Sequence, residues 1–537
     1  MLVKTIHSRK FYILYITLPP DPGYMITSRD EEPDMILQSL TDRLILKKIT
    51  GSTSADITNL ETDSREIRPG GVFVCVPGFH VDGHDYAEQA IRNGAVAIVA
   101  ERELSGLPGN VTHITVPDTR RILPILANAF FGDPTRQLKL IGITGTNGKT
   151  TTTHMVDQIL NDARRKTGII GTLYMKIGNH VEKTLNTTPD TIQLMRYFHT
   201  IISHGGEYGV LEVSSHGLDM GRVRGCDFQT VVFTNLSHDH LDFHQTMESY
   251  RNTKELLFAQ LGNSNRDMQK KAVLNADDAA SSYYAKRTSA QIITYGIQNQ
   301  ADVRATQIHH SREGCVFHAE TPWGSSDVNL KVHGAHNIYN ALAAMTTCLL
   351  EGIPLEEIRG SLEQFAGVHG RFQEIQTGRR FGVVVDYAHN PDGLKATLQS
   401  AKAITSGKMI CVMGCRGERD RSKRPIMADI AASYSDYVLF TADNPFSEDP
   451  EQIMAEMLGG LTSRESGNWE VVLDRKEAIQ RAVEMAGDED RIIITGRGHE
   501  TRYVAGSQIE SFSDEDIVMS SLQGIGQDIQ MMHRSPE

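Results

Sequence analysis

What the chain lacks narrows it first. No apolar run approaches the roughly 20 residues that a membrane-crossing helix needs, so no membrane span is expected. Basic residues are outnumbered: 54 Lys and Arg against 67 Asp and Glu leave a formal charge of −13. That balance excludes the broad positive footprint of a nucleic-acid binder, and any polyanionic ligand must be held by local cations. Cysteine is scarce, six in 537 residues, with no CxxC spacing. Cys411 and Cys415 lie four apart, which suits neither a zinc knuckle nor a redox pair, so buried free thiols in a reducing compartment are expected. Low-complexity tracts and internal repeats are also missing.

The length is too great for one core and points to about three domains. Residues 1–35 read as a disordered extension, or as an upstream start with Met25 and Met35 following. Phe11 to Leu18 is apolar after Arg9 and Lys10, but Pro19-Pro20 breaks it and no small-residue cleavage site follows, unlike a signal peptide. Residues 36–135 mix short strands (Gly71 to Val76, Ala95 to Val99) with a helix from Tyr86 to Asn93. Residues 136–368 carry apolar runs at Tyr208 to Val213, Thr230 to Phe233 and Ala272 to Leu274, alternating with helical stretches. Gly367 to Gly370 reads as a hinge, and residues 369–537 repeat the alternation through Phe381 to Asp386, Met409 to Met413, Tyr437 to Phe440 and Arg491 to Ile494. The expectation is an α/β protein with largely parallel sheets and a Rossmann-like C-terminal domain.

The strongest local signal is Leu138 to Thr151. A β-branched run ends in Gly145-Thr146-Asn147-Gly148-Lys149-Thr150-Thr151, and a helix is expected from Thr151 to Ala163. Glycines let backbone N–H groups turn inward, the helix start adds positive potential, Lys149 adds a point charge, and the Thr150 hydroxyl can reach Mg²⁺. Ile143 stands where the strict spacing has glycine, so this is a variant P-loop. Four polar clusters follow expected strand ends, where open α/β sheets bind ligands: Glu212 to His216, Thr234 to His244, Asn275 to Asp278, and Asp386 to Pro391. Ser237 to His244 packs three His and two Asp into eight residues, a density that points to a metal or substrate role. Mg²⁺ needs oxygen ligands beyond Thr150 and the phosphates, so carboxylates at these ends are candidates.

These segments, with Asn186-Thr187-Thr188-Pro189, Tyr250 to Lys254, Asn337 to Leu342, Gly370-Arg371-Phe372, Asp443-Asn444-Pro445 and Gly496 to Glu500, arrive in a family order. The chain resembles the Mur ligase family, and within it the MurE type, from Asp63 to Asp514. The resemblance implies an N-terminal UDP-substrate-binding α/β domain, a central P-loop ATPase domain and a C-terminal Rossmann-like domain. It implies a cytoplasmic, monomeric, ATP-dependent amide ligase adding the third amino acid of the peptidoglycan stem to UDP-N-acetylmuramoyl-L-alanyl-D-glutamate, through an acyl phosphate. By resemblance Lys149 binds phosphate, Thr150 and Glu212 hold one Mg²⁺, Glu212 and His240 hold a second, and Lys254 becomes a CO₂-derived carbamate. Asn337, Asn340, Arg371, Asp386 and His389 resemble nucleotide contacts. Ser64, Asn186, Thr187, Thr188, Ser214 and Arg222 fall on UDP-sugar positions, and Arg419, Asp443, Asn444, Pro445, Phe446, Gly496 and Glu500 on the amino-acid pocket.

That pocket departs from the pattern. Diaminopimelate-adding relatives carry Asp-Asn-Pro-Arg, whereas this chain has Asp443-Asn444-Pro445-Phe446, and lysine-adding relatives have a small residue there. Arg416 stands where relatives commonly have Gly, Arg497 for Lys, His336 for an aromatic or apolar residue, Gln373 for Glu, and Met220 for a polar residue. The amino acid added is therefore open. A paralogue acting on another carboxylate is the rival ligase reading, and a non-catalytic nucleotide binder the rival from another class.

Overall fold

The computed structural model describes residues 35–78, 81–262, 269–461 and 467–532. The extension expected over residues 1–35 lies outside them except for Met35, which pairs with Ile57 in a short antiparallel ladder.

The first sheet has five strands in the order Lys48–Thr50, Thr112–Thr115, Ala95–Ala100, Gly71–Val74 and Asn59–Glu61. All neighbours are parallel except the first pair. One apolar face, carrying Val72, Val74, Val99 and Ile114, does not close on itself. It merges with Leu126 and Phe130 of the helix Thr119–Phe130 and with Leu140, Leu211 and Val231 of the next sheet in one continuous core. Arg196 and Glu61 add an ion pair of 2.7 Å across the same junction.

The central sheet has eleven strands. At its middle Lys139–Thr144 lies between Tyr208–Glu212 and Phe228–Phe233, parallel to both. Near-continuous apolar runs such as Tyr208–Glu212 are what a strand buried on both faces requires. The parallel order places the carboxyl ends of these strands, and of Lys271–Asn275, along one edge. Both outer flanks turn antiparallel, through Met175–Ile177 and His180–Glu182 on one side and Val303–Ser311, Gly314–Thr321 and Gly324–Leu330 on the other. The P-loop helix Lys149–Asp162 and the helix Ala335–Leu350 cover one face, burying Met155, Val156, Leu342 and Met345.

The third sheet runs in the order Gln373–Ile375, Gly382–Asp386, Arg491–Thr495, Met409–Met413, Tyr437–Phe440 and Trp469–Val471, parallel except at its first strand. Helices cover both faces, with separate clusters around Leu398 and Met427 and around Ile479 and Val518. Parallel strands with helices on both faces are the Rossmann-like layout expected of the C-terminal domain. At the entry to this domain Gly370 has φ 69°, and a β-carbon there would collide with the backbone nitrogen of His499, so only glycine fits.

Arg475 and Asp514 form a bidentate pair, both contacts 2.8 Å, with side chains 1% and 0% exposed. The same guanidinium donates to the carbonyl of Thr495 at 2.9 Å. Asp514→Ala leaves that cation buried and uncompensated, and the expected loss is about 3–5 kcal/mol, read as a lowered urea midpoint. All six cysteines are free, and every one except the half-buried Cys226 is buried. No helix among the described residues is long and apolar enough to cross a membrane.

Candidate active site

A cavity of about 1930 Å³ runs between all three domains, bounded by the P-loop, the strand ends of the central sheet and the loops of the third. The P-loop is built as the sequence implies, with the helix starting at Lys149 rather than Thr151. Gly148 caps it at φ 87°, and a β-carbon there would strike the Asn340 side chain. Lys149 donates from Nζ to the carbonyls of Gly145 (2.9 Å) and Thr146 (3.0 Å), so its charge closes the loop on itself. Beside it Thr150 Oγ1 donates to Glu212 Oε2 at 2.8 Å. Glu212 ends its strand almost fully buried and also accepts from Thr172 N (2.9 Å) and Thr172 Oγ1 (3.0 Å).

His240 sits at φ 56°, in the left-handed region, in the loop after Phe228–Phe233. Burial holds its imidazole well below the usual histidine range despite the neighbouring Asp239, so the ring is neutral and has the lone pair a metal ligand needs. Lys254 is 1% exposed on the helix Met247–Ala259, with Nζ 3.1 Å from the Gly145 carbonyl and 4.6 Å from the centre of the Tyr250 ring. Burial, and next the Lys149 ammonium, hold its amine well below the ordinary lysine range.

From the third domain, Arg371 donates to Thr150 Oγ1 at 3.2 Å and lies over the Tyr387 ring. Asp386 also lines the cavity, its carboxylate held by Phe372 N, Ala388 N and Thr397 Oγ1. Asn337 and Asn340 are linked at 3.1 Å, and Asn340 accepts from Thr152, tying the helix Ala335–Leu350 to the P-loop helix.

Asp239, inside the dense run Ser237 to His244 yet absent from the expected site residues, joins the central domain to the third. It is 2% exposed and faces His389 Nε2 (3.4 Å), Lys423 Nζ (3.4 Å) and Asn390 Nδ2 (3.0 Å), all from the third domain. Burial alone would raise its pKa, but the Lys423 charge and the His389 hydrogen bond, with the other groups around it, hold the carboxyl well below its usual range. Asn390 also exchanges amide hydrogen bonds with Asn147 of the P-loop, and His238 pairs with Asp420 at 2.8 Å. Its place in that dense run of His and Asp was the signal available in sequence.

Asn186, Thr187, Ser214, Arg222 and Arg419 line the cavity. Other expected binding residues stand behind its wall. Ser64 Oγ is bonded to Gln89 at 3.0 Å, and Thr188 is buried between the Glu212 carbonyl and Ser214. Asn444 is held by Arg497 (2.8 Å) and donates to Glu500 (2.9 Å). Gly496 lies close behind Asp443, and Asp443 and Phe446 reach the cavity surface on either side of Asn444 and Pro445.

The donors at the P-loop edge fit Mg²⁺. Thr150 and Glu212 are hard oxygen ligands touching each other beside a glycine loop that a β-carbon would fill. Among the described residues no three His, Cys, Asp or Glu side chains converge on one point.

Family models match all three domains: "Mur ligase family, catalytic domain" over residues 56–131, "Mur ligase middle domain" over 143–348, and "Mur ligase, glutamate ligase domain" over 370–498. The UDP-N-acetylmuramoyl-L-alanyl-D-glutamate–2,6-diaminopimelate ligase of Geobacillus thermodenitrificans is 47% identical over 91% of this chain and 99% of its own length. The enzyme of the same name from Bacillus cereus is 45% identical over 91% and 99%. A solved structure of a ligase of that name is similar with TM-score 0.65 and 31% identity, over 92% of this chain and all of the other. The ADP complex of MurF ligase from Thermotoga maritima shares the fold at TM-score 0.59 and 19% identity, covering 89% and 98%. Matched in every domain and aligned with these relatives almost end to end, the chain belongs to the Mur ligase family, MurE type.

Proposed function

We propose that the protein joins diaminopimelate to the D-glutamyl carboxylate of UDP-N-acetylmuramoyl-L-alanyl-D-glutamate, converting ATP to ADP and phosphate. The observation that carries this reading is the cavity itself, where the P-loop, Glu212 and His240 face Arg371, His389 and Arg419 across a domain junction. A free carboxylate is a poor electrophile, so one of its oxygens first attacks the γ-phosphorus of ATP, giving an acyl phosphate and ADP. The amine of the incoming amino acid then attacks the acyl carbon. The tetrahedral intermediate expels phosphate, and the nitrogen loses its proton as the amide forms.

Little covalent work falls to the protein; it positions three charged reactants and offsets their repulsion. Lys149, at the P-loop helix start, and Arg371, beside Thr150, supply cations at the phosphates. Thr150 and Glu212 would hold one Mg²⁺, and Glu212 with His240 a second. Bound there, Mg²⁺ neutralises phosphate oxygens and the charge that develops during transfer. Lys254 would act as a carbamate, and Asn186, Thr187, Ser214 and Arg222 would hold the UDP-sugar arm. The paralogue reading is set aside, because relatives of 45–47% identity align with nearly the whole chain and bear one name.

Phosphate release tests the reading. With ATP, Mg²⁺, UDP-N-acetylmuramoyl-L-alanyl-D-glutamate and diaminopimelate, one phosphate per amide is expected, with none when either acceptor or amine is omitted. No release with that nucleotide and any diamino acid would overturn it.

A further inference from the structure

Three neighbouring strands of the third sheet, Arg491–Thr495, Met409–Met413 and Tyr437–Phe440, send their carboxyl-end loops to one corner of the cavity. Those loops bring Glu500, Arg416 and Phe446 together. Arg416 Nη1 meets Glu500 Oε1 at 2.7 Å, and the guanidinium lies 5.3 Å from the centre of the Phe446 ring. The other Glu500 oxygen accepts from Asn444 at 2.9 Å, which fixes the carboxylate. The Arg416 backbone is also fixed, because the fully buried Arg424 donates to its carbonyl at 3.2 Å.

Phe446 is held with φ 53°, a conformation that a bulky residue rarely adopts. Its N–H donates to the Val504 carbonyl, and its own carbonyl accepts from Gly506, so the hairpin Arg502–Ala505 and Gln508–Ser511 locks it beneath the guanidinium. Arg416 lines the cavity, and its Nη1 bond to Glu500 occupies one arm of a guanidinium fork that carries five N–H donors. Arg419 lies in the same loop, exposed at the cavity, and donates only to the neighbouring Glu418 carbonyl at 3.3 Å.

Resting on the function proposed above, we infer that Arg416 is the specificity-determining residue of the amino-acid pocket. It binds a carboxylate at the far end of the incoming amino acid, with Glu500 behind it as its fixed counter-ion and Phe446 as its stacking platform. Charge counting supports this assignment. Arg419, Arg416 and Glu500 together carry one net positive charge. A diamino dicarboxylate whose attacking amine is neutral carries one net negative charge. A diamino monocarboxylate such as lysine carries none and leaves Arg416 without its anion. A guanidinium fork suits a planar carboxylate, and lysine in its place would lose both the fork and the stacking on Phe446.

The test compares KM for meso-diaminopimelate and L-lysine by phosphate release, with UDP-N-acetylmuramoyl-L-alanyl-D-glutamate and ATP saturating. The wild-type protein is expected to hold diaminopimelate on the order of 100-fold more tightly than lysine. Arg416→Ala should raise the diaminopimelate KM by a similar factor, with the loss on KM rather than kcat, and so narrow the ratio of the two amines. Arg416→Lys should recover only part of it. A diaminopimelate KM that survives Arg416→Ala overturns the assignment. So does a wild-type protein that takes lysine equally well, a comparison that needs no variant to fold. If no diamino acid supports phosphate release, the function reading itself has failed and this assignment falls with it.

Discussion

Lys254→Ala is expected to lower kcat by on the order of 10²–10³-fold, the range seen when one fixed electrostatic group is removed from a reacting centre. A buried ammonium beside the Lys149 cation would be costly, and both burial and that neighbour favour the neutral amine. A neutral amine is a nucleophile. When it attacks CO₂, an N–C bond forms and a proton leaves, giving an anionic carbamate that offsets Lys149 and presents oxygen to a metal. Nζ lies against the Gly145 carbonyl, directly behind the phosphate-binding loop, so the new anion would act on the loop itself. Native mass spectrometry should find one CO₂ on the wild-type chain and none on the variant. Activity should fall in CO₂-stripped buffer and return with bicarbonate. Undiminished wild-type turnover without CO₂, and no adduct, would count against the carbamate.

What the sequence made legible was local. The P-loop could be read because strand, glycines and helix are contiguous, and the buried parallel strands because each is an unbroken apolar run, as in Met409–Met413. The polar hairpins from Val303 to Leu330 went unread. A bulge between Thr306 and His309 breaks the alternation that would mark a strand, and Gln307, His309 and His310 carry no apolar signature. The hairpin Arg502–Ala505 with Gln508–Ser511 was missed because neither strand buries a side chain.

At the site, residues at strand ends were found because topology alone brings strand ends together, as with Glu212, His240 and the P-loop. Orientation was not legible. Ser64 turns to Gln89, 25 positions away, and Thr188 turns to the Glu212 carbonyl behind the cavity wall. Nor was Phe446 readable as more than a missing arginine. Its left-handed backbone depends on the Val504 to Gly506 turn, and its partner Arg416 comes from a different strand end. Departures at positions 416 and 446 looked independent in sequence, yet they are one contact in space.

Glu212→Gln should be nearly as damaging as loss of Lys254, and for a separable reason. The amide keeps the shape of the carboxylate, so the Thr150 and Thr172 contacts at 2.8–3.0 Å can largely persist and the fold should hold. What goes is the negative charge at the end of the strand Tyr208–Glu212. A divalent cation there is held by few protein ligands, so losing one charged oxygen weakens it strongly. We expect kcat to fall by on the order of 10²–10³-fold and the Mg²⁺ needed for half-maximal rate to rise. Excess Mg²⁺ should recover part of the rate in Glu212→Gln. It should recover none in Lys149→Ala, where the missing cation belongs to the protein. Titrating both variants with Mg²⁺ at saturating ATP separates the roles. An unchanged Mg²⁺ midpoint in Glu212→Gln would remove Glu212 from the ion and leave it only as a brace for Thr150 and Thr172.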